Sequence, residues 1–229
     1  MRIDERKVLK LENIISEILP LTADTSQFNR VFIPIEHDFS LELANENNLN
    51  IYHLRTENRR FKYEDLTNFC VGNLSQYIFN RKTVKQAKSQ ADIQILYNRG
   101  RKQLREVRNE NDSGAGGELG ELLLYLFLEN CLHAPKLLSK MEIKTTRNQY
   151  IYGADGLHLY MTKDKYGNML YQFVIGEAKI KNDILDATRV AFDSIRKSID
   201  EIDIETALVS EEILKEVCTK EDAKRRYCG

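Results

Sequence analysis

Apolar residues in the first sixty positions alternate between helical and extended spacing. The segment KVLKLENIISEIL (7–19) has helical spacing, and Pro20 predicts its end. RVFIPI (30–35) has the composition of a strand, and Pro34 places that strand at a sheet edge. NLNIYHLR (48–55) predicts another strand. These short elements indicate a mixed α+β beginning.

Helical spacing then continues for about fifty residues. Apolar side chains recur every three or four positions from residue 63 to about residue 88, and a second helix is predicted over 91–108. The stretch NDSGAGG (111–117) combines turn residues with glycines and breaks the pattern. We therefore predict an N-terminal α+β module over residues 1–110 and a second domain over 111–229.

In the second domain, the sequence pattern predicts the order α-β-β-β-α-β. Its elements are a helix from Gly117 to Pro135, strands at 141–146, 150–162 and 169–180, a helix at 183–199, a strand at 204–210 and a last helix at 211–218. One apolar face of the helix at 183–199 is formed by Leu185, Thr188, Phe192, Ile195 and Ile199. Antiparallel strands between helices predict an α/β layered fold.

Composition adds little to this picture. The 229 residues are 42% apolar and 30% charged, with a net charge of −1, which is ordinary for a globular protein. A near-neutral chain has no global attraction for nucleic acid or membrane, so such a contact needs a local patch. No apolar run approaches the length of a membrane span, and the segment MRIDERKVLK predicts no secretory signal. We therefore expect a cytoplasmic protein without a membrane partner.

The largest local charge imbalance lies between Arg81 and Asn109, a segment that contains nine basic residues and two acidic ones. Phosphate binding needs local positive charge, so this run is a candidate DNA contact. A solvated helix face explains it equally well. The residues that we select as DNA-binding are Arg99, Arg101, Lys102, Arg105 and Arg108.

Three charged residues fall at the end of the predicted hairpin between 150 and 180. A two-residue turn centred on Tyr166–Gly167 places Asp155 opposite Ala178, within one residue of Glu177 and Lys179. The second strand is apolar on both faces, so we expect it to be covered on both sides. Isolated charges there are costly. A divalent metal would neutralise the acids and leave the lysine with a partner.

These groups suit phosphodiester hydrolysis. Asp155 and Glu177 would bind Mg²⁺ or Mn²⁺, with positions left for water and a phosphate oxygen. Lys179 would orient the attacking water and stabilise negative charge on phosphorus. The alternative is a structural ion pair at a strand end, either Glu177–Lys179 or Asp155–Lys179.

The pattern D-(x)₂₁-E-x-K on an α-β-β-β-α-β core resembles the PD-(D/E)xK nuclease superfamily, with Ala154 in place of the usual proline. The resemblance implies a restriction-endonuclease-like core. It also implies a further catalytic acid and metal ligand from the preceding helix, for which Glu118 and Glu121 are candidates. We favour Glu121, because the apolar run follows it directly.

The stretches GELGELLLYLFLE, GADGLHLY and GEAKI further resemble HamA, the nuclease subunit of the Hachiman anti-phage defence system, over about residues 100–210. This resemblance implies a metal-dependent DNA endonuclease that works with a superfamily 2 helicase. The glycines at 114–117 lack the lysine of a Walker A loop, so a partner would use the ATP. The alternatives are a non-catalytic nuclease fold that binds DNA or a partner, and an independent repair or junction nuclease.

Overall fold

The computed structural model describes residues 19–38, 49–110, 117–137, 139 and 155–200. Within these residues the fold is mixed α/β, with helices and small antiparallel two-stranded sheets. Contacts divide the chain into two compact units: residues 24–73 form the small unit, and the remaining described residues belong to the large unit. The division of roles between residues 1–110 and 111–229 stays a prediction.

The small unit contains the strands predicted in the first sixty residues. Helix α1 (Phe28–Val31) leads directly into strand β1 (Phe32–Ile35), which pairs antiparallel with β2 (Ile51–Leu54). A short hairpin follows, formed by β3 (Thr56–Glu57) and β4 (Arg60–Phe61). The strands predicted at 30–35 and 48–55 are thereby confirmed.

Aromatic rings form the core of the small unit. The ring of Phe28 lies 5.1 Å from that of Phe32 and 6.2 Å from that of Phe69, and all three side chains are buried. The buried amide of Asn73 accepts a hydrogen bond from the Asp24 N–H at 2.6 Å and donates to the Asp24 carbonyl at 3.1 Å. One side chain thus joins the first and last residues of the unit.

The helix predicted from residue 63 to about 88 is in fact two helices. These are α2 (Tyr63–Ile78) and α3 (Arg81–Gln86). Asn80 between them is extended, and its side-chain oxygen accepts from the Thr83 N–H at 2.8 Å, which caps α3. The single-helix prediction was wrong because apolar spacing continues through the cap. The helix predicted at 91–108 is confirmed as α4 (Gln90–Glu110).

The large unit contains four further elements near their predicted positions. They are α5 (Gly117–Cys131), β5 (Gly156–Lys163), β6 (Met169–Gly176) and α6 (Ile184–Asp200). The strands predicted at 141–146 and 204–210, the helix at 211–218 and nearly all of the helix at 7–19 lie outside the described residues. The restriction-endonuclease-like core therefore stays a prediction.

Residues 164–168 connect β5 and β6, and the loop enclosed between Asp164 and Asn168 has three residues instead of the predicted two. The Asp164 N–H donates to the Asn168 carbonyl at 2.8 Å, and the Gly167 N–H donates to the Asp164 carbonyl at 3.0 Å. Gly167 has φ +84°, a left-handed conformation that glycine adopts without a Cβ penalty. The Asp164 carboxylate also accepts from the Tyr166 and Asn168 N–H groups. This closed loop shifts the register by one residue, so that Gly156 pairs with Gly176.

Two surfaces predicted to be covered are exposed. Phe173 on β6 is 52% exposed and Leu170 is 40% exposed, so this strand is not covered on both sides. On α6, Leu185 and Phe192 are 78% and 52% exposed, whereas Ser198 is buried. Periodicity identifies an apolar face of an element, but it does not determine whether another element packs on that face.

A buried polar cluster formed by Arg81, Glu129, Lys136 and His158 occupies the interior of the large unit. The Glu129 carboxylate accepts from the Thr22 and Ala23 N–H groups, both at 2.6 Å, and from the Lys136 N–H at 3.0 Å. The guanidinium of Arg81 donates to the Lys136 carbonyl at 2.6 Å. Each buried charge therefore has hydrogen-bond partners, which offsets its desolvation.

Lys136 joins helix α2 to strand β5. Its ammonium group donates to the carbonyls of Gln76, Tyr77 and Phe79 at the C-terminal end of α2, where carbonyls lack helical partners and cations are favoured. The flanking backbone pairs with β5: the Leu137 N–H donates to the Leu157 carbonyl at 2.8 Å, and the Leu159 N–H donates to the Pro135 carbonyl at 3.0 Å.

Titration of His158 should make stability depend on pH. Burial lowers the pKa of His158 to about 4, although the Ala134 carbonyl, 2.7 Å from Nδ1, opposes the shift. Between pH 6.5 and 4 the unfolded chain takes up a proton that the folded chain does not. The contribution of His158 to the free energy of unfolding is therefore complete above pH 6.5. It should decrease as the pH falls toward 4, by up to about 3 kcal/mol.

The measurement is urea denaturation of the wild type, His158→Gln and the exposed-histidine control His53→Gln across this pH range. We expect His158→Gln to be less stable at neutral pH and to lose this part of the pH dependence, and the control to keep it. Equal slopes in wild type and His158→Gln would contradict the assignment.

Candidate active site

Helix α5 packs directly on the end of the β5–β6 hairpin. A Cβ on Gly120 of the helix would lie 3.3 Å from the Ala178 Cβ, and one on Gly176 of β6 would lie 2.9 Å from a leucine carbon of the helix. A side chain at either position would crowd helix and strand. Glu121 follows the first glycine and Glu177 follows the second, so this close approach also brings acidic positions together.

Asp155 lies directly before β5 and Glu177 directly after β6. Asp155 Oδ2 accepts a hydrogen bond from the Ala178 N–H at 2.8 Å, across the open end of the hairpin. This contact confirms the pairing expected from the sequence to within a residue. The hairpin thereby fixes one carboxylate beside the segment that carries Glu177 and Lys179.

Lys179 Nζ forms an ion pair with Glu177 Oε1. The Glu177 side chain is 5% exposed and that of Lys179 is 23% exposed, so the lysine is the more accessible partner. The ion pair considered as the structural alternative is therefore present. Its presence does not exclude a chemical role, because the same lysine remains partly open to solvent beside the carboxylates.

Tyr77, which the sequence did not single out, contacts the site from helix α2. Its hydroxyl donates to Glu121 Oε2 at 2.8 Å, and its buried ring packs 5.8 Å from the ring of Tyr125. Burial raises the pKa of Tyr77 well above its usual value, and the nearby carboxylates of Glu121, Asp155 and Glu118 add to the shift. Tyr77 therefore remains a hydrogen-bond donor. Helical spacing placed it on a buried face but could not reveal a partner 44 residues away.

Carboxylates outnumber cations at this site. Burial raises the pKa of Asp155 to about 6; the Ala178 N–H opposes the shift, the carboxylates of Glu121 and Glu177 add to it, and Lys179 opposes it. Two further acids and one lysine thus act on Asp155. The geometry connects Asp155, Glu177, Lys179 and Glu121 electrostatically, while Glu118 acts on Tyr77.

This donor set fits a hard divalent cation in its chemistry. Mg²⁺ and Mn²⁺ prefer carboxylate oxygens, and a cation would offset both the burial of the Asp155 carboxylate and the repulsion from its acidic neighbours. Asp155, Glu177 and Glu121 are the residues that would hold it, with Glu118 as the remaining candidate. In the described part of the chain, no group of three or more acidic, histidine or cysteine residues already has the arrangement of a metal site.

The predicted DNA-binding residues lie along helix α4. Arg99, Arg101 and Lys102 are exposed. The Arg99 guanidinium lies 5.2 Å from the centroid of the Phe79 ring, and that of Arg101 lies 5.7 Å from the Tyr97 ring, which are cation–π distances. Arg105 and Arg108 lie within helix α4, but the structure does not describe their side chains. Binding of DNA by this helix stays a prediction.

Fold and site together define a mixed α/β protein with an acidic, lysine-containing site at the open end of a hairpin. The chain belongs to the HamA family, whose model matches residues 28–226. This confirms the resemblance inferred from the motifs and indicates a component of the Hachiman anti-phage defence system. No curated protein and no solved structure matches the chain. None of the helices in the described ranges has the length and apolar character needed to cross a membrane.

The Tyr77–Glu121 contact predicts an effect on metal affinity. Tyr77→Phe keeps the ring but removes the hydrogen bond that holds one oxygen of Glu121, so we expect Mn²⁺ affinity to fall by about 10-fold. Calorimetric titration with Mn²⁺ is the measurement. Tyr125→Phe is the matched control, since it removes a buried hydroxyl that contacts Thr22 instead of the site. Equal affinities for the two variants would contradict a positioning role for Tyr77.

Proposed function

We propose that the protein is a metal-dependent DNA endonuclease of the Hachiman system, with a PD-(D/E)xK active site on a restriction-endonuclease-like core. The observation that carries this proposal is that Asp155, Glu121 and Glu177 come together beside Lys179, where burial chiefly, and the Glu121 and Glu177 carboxylates in addition, raise the pKa of Asp155. A purely structural ion pair needs one acid and one base. The two additional buried or half-buried carboxylates are a cost that metal binding would explain.

Each residue of the site has a definite task in this proposal. Asp155, Glu177 and Glu121 bind Mg²⁺ or Mn²⁺, which when bound supplies a Lewis acid and lowers the pKa of water. Asp155 is oriented by the Ala178 N–H, and Glu121 by the Tyr77 hydroxyl. Lys179 orients the attacking water and stabilises negative charge on the phosphate. Its partial exposure is consistent with access to a substrate.

The DNA contact that we propose for helix α4 is electrostatic and independent of sequence. Arg99, Arg101 and Lys102 present positive charge on an exposed helix surface, and Arg105 and Arg108 continue the run in sequence. Phosphate contacts of this kind supply affinity without reading bases. They suit a defence enzyme that must act on many DNA sequences.

The partner that we propose is a superfamily 2 helicase. Membership in the HamA family indicates a multi-component defence system. A net charge of −1 provides little attraction for DNA over the whole chain, so a partner that engages DNA and uses ATP would supply what this chain lacks. We assign the docking surface to residues 1–110, which contain none of the proposed metal ligands, although Tyr77 of this segment positions Glu121.

One second candidate is a nuclease fold that binds DNA or a partner without cutting. The Glu177–Lys179 ion pair favours it, because that pair satisfies the lysine without a substrate. The two candidates differ in their response to metal, which the next experiment measures.

We expect Glu177→Gln and Lys179→Met each to reduce plasmid cleavage in Mg²⁺ or Mn²⁺ by at least about 100-fold while the fold is retained, because the first removes a charge that binds the metal and the second removes the charge that acts on the phosphate. EDTA should stop the wild type. Lys181→Met is the matched control, since this lysine lies two residues further on and contacts Asp186. Cleavage by both site variants at the wild-type rate would rule out this active site. A wild type that binds DNA but does not cut it in either Mg²⁺ or Mn²⁺ would establish the second candidate.

Co-expression with the product of the adjacent gene tests the partner. We expect the two chains to elute together in size-exclusion chromatography, and cleavage by the complex to depend on ATP, because the glycines at 114–117 lack a Walker A lysine. If the chain elutes alone and cuts equally well with and without ATP, an independent repair nuclease becomes the better assignment.

A further inference from the structure

The tip of the β3–β4 hairpin has an unfavourable backbone conformation. Its two central residues, Asn58 and Arg59, have φ values of +51° and +61°. A two-residue hairpin turn requires this conformation, and glycine is the favoured second residue because it has no Cβ. Arg59 takes that position instead. A charged side chain kept at a strained turn position suggests that the side chain is used.

The hairpin also carries positive charge without partners. Arg55 is fixed to two carbonyls of helix α1, at 2.8 and 3.1 Å, and Lys62 forms an ion pair with Glu57 at 2.6 Å. Arg59 and Arg60 are exposed, and within the part of the chain that the structure describes neither side chain forms a hydrogen bond or ion pair. These two guanidinium groups are therefore open to an anionic ligand.

Two aromatic side chains that follow these arginines in sequence are open to solvent. Phe61 is 51% exposed and Tyr63 is 63% exposed, and their ring centroids lie 5.9 Å apart with an interplanar angle of 63°. The backbone beneath them is ordered by the pairing of Phe61 with Thr56 and by the Lys62 N–H, which donates to the Arg55 carbonyl at 2.9 Å. Rigid, exposed aromatic faces are suited to stacking.

We propose that the β3–β4 hairpin is a binding site for single-stranded nucleic acid. Phe61 and Tyr63 stack on bases, and Arg59 and Arg60 bind the adjacent phosphates. Unpartnered cations and exposed π faces within one short segment match a ligand that offers anions and flat rings together, and only a single strand leaves its base faces accessible. This site goes beyond the proposed cleavage activity and is separate from helix α4.

Fluorescence anisotropy of the full chain with a labelled oligothymidine in EDTA tests the phosphate contact. Arg59→Gly is the informative variant, because glycine suits the left-handed position and should leave the hairpin intact or more stable. We expect affinity to fall by about 3- to 10-fold and the slope of log K against log salt to decrease by about 0.7. Asn58→Gly is the matched control: it relieves the same turn without removing charge and should bind as the wild type does.

The stacking contact is tested in the same assay. Phe61→Leu and Tyr63→Leu keep apolar surface but remove the π face, and we expect each to weaken binding by at least about 5-fold. Tyr166→Leu is the control, since Tyr166 is a 78% exposed tyrosine on the other hairpin. An oligouridine of the same length shows whether the site accepts RNA as well as DNA.

Because the assay is run without metal, failure of the proposed nuclease activity does not affect its outcome. The proposal is overturned if the full chain binds no oligonucleotide, or if Arg59→Gly and Tyr63→Leu retain wild-type affinity. If these variants weaken binding of a duplex of matched length as much as binding of the single strand, the single-strand assignment is overturned. Variants that keep oligonucleotide binding but lose co-elution with a helicase would show instead that the hairpin is a protein-docking surface.

Discussion

The close approach of helix α5 to the open end of the β5–β6 hairpin is the constraint on which the site depends. Gly120 meets Ala178, and Gly176 meets the leucines of the helix, with no room for further side chains. Burial of the apolar run of α5 favours this contact, and the two missing side chains permit it. The same contact brings Glu121 toward the acids of the hairpin. The packing of helix α5 on the hairpin therefore also assembles the site.

The buried polar cluster supports the site through helix α2 and strand β5. Lys136 caps the end of helix α2, and its neighbours Pro135 and Leu137 pair with strand β5. The end of α2 carries Tyr77, whose hydroxyl holds Glu121. Fully partnered buried charges are rigid, because a displaced member would leave another unsatisfied. This rigidity positions a carboxylate that neither the helix nor the hairpin alone would orient.

Charge is distributed unevenly between the two units. The large unit concentrates carboxylates beside Lys179, where burial and mutual repulsion raise the pKa of Asp155. The small unit presents arginines and aromatic rings on an exposed hairpin. The residues at its tip have positive φ values, and neither of them is glycine. Each feature has a local free-energy cost. We propose that metal and phosphate chemistry explains the first feature and that contact with nucleic acid explains the second.

The sequence alone determined the main helices and strands, the hairpin, and the opposition of Asp155 to Ala178, because these depend on local spacing and on alternation along a strand. Motif spacing also identified the family. The tertiary structure decided what local patterns do not contain. Asn80 divides a helix whose apolar spacing continues, and a three-residue loop replaces the predicted turn. The exposed face of α6 and the Tyr77–Glu121 contact depend on which distant elements pack together, and that information is absent from any single stretch of the chain.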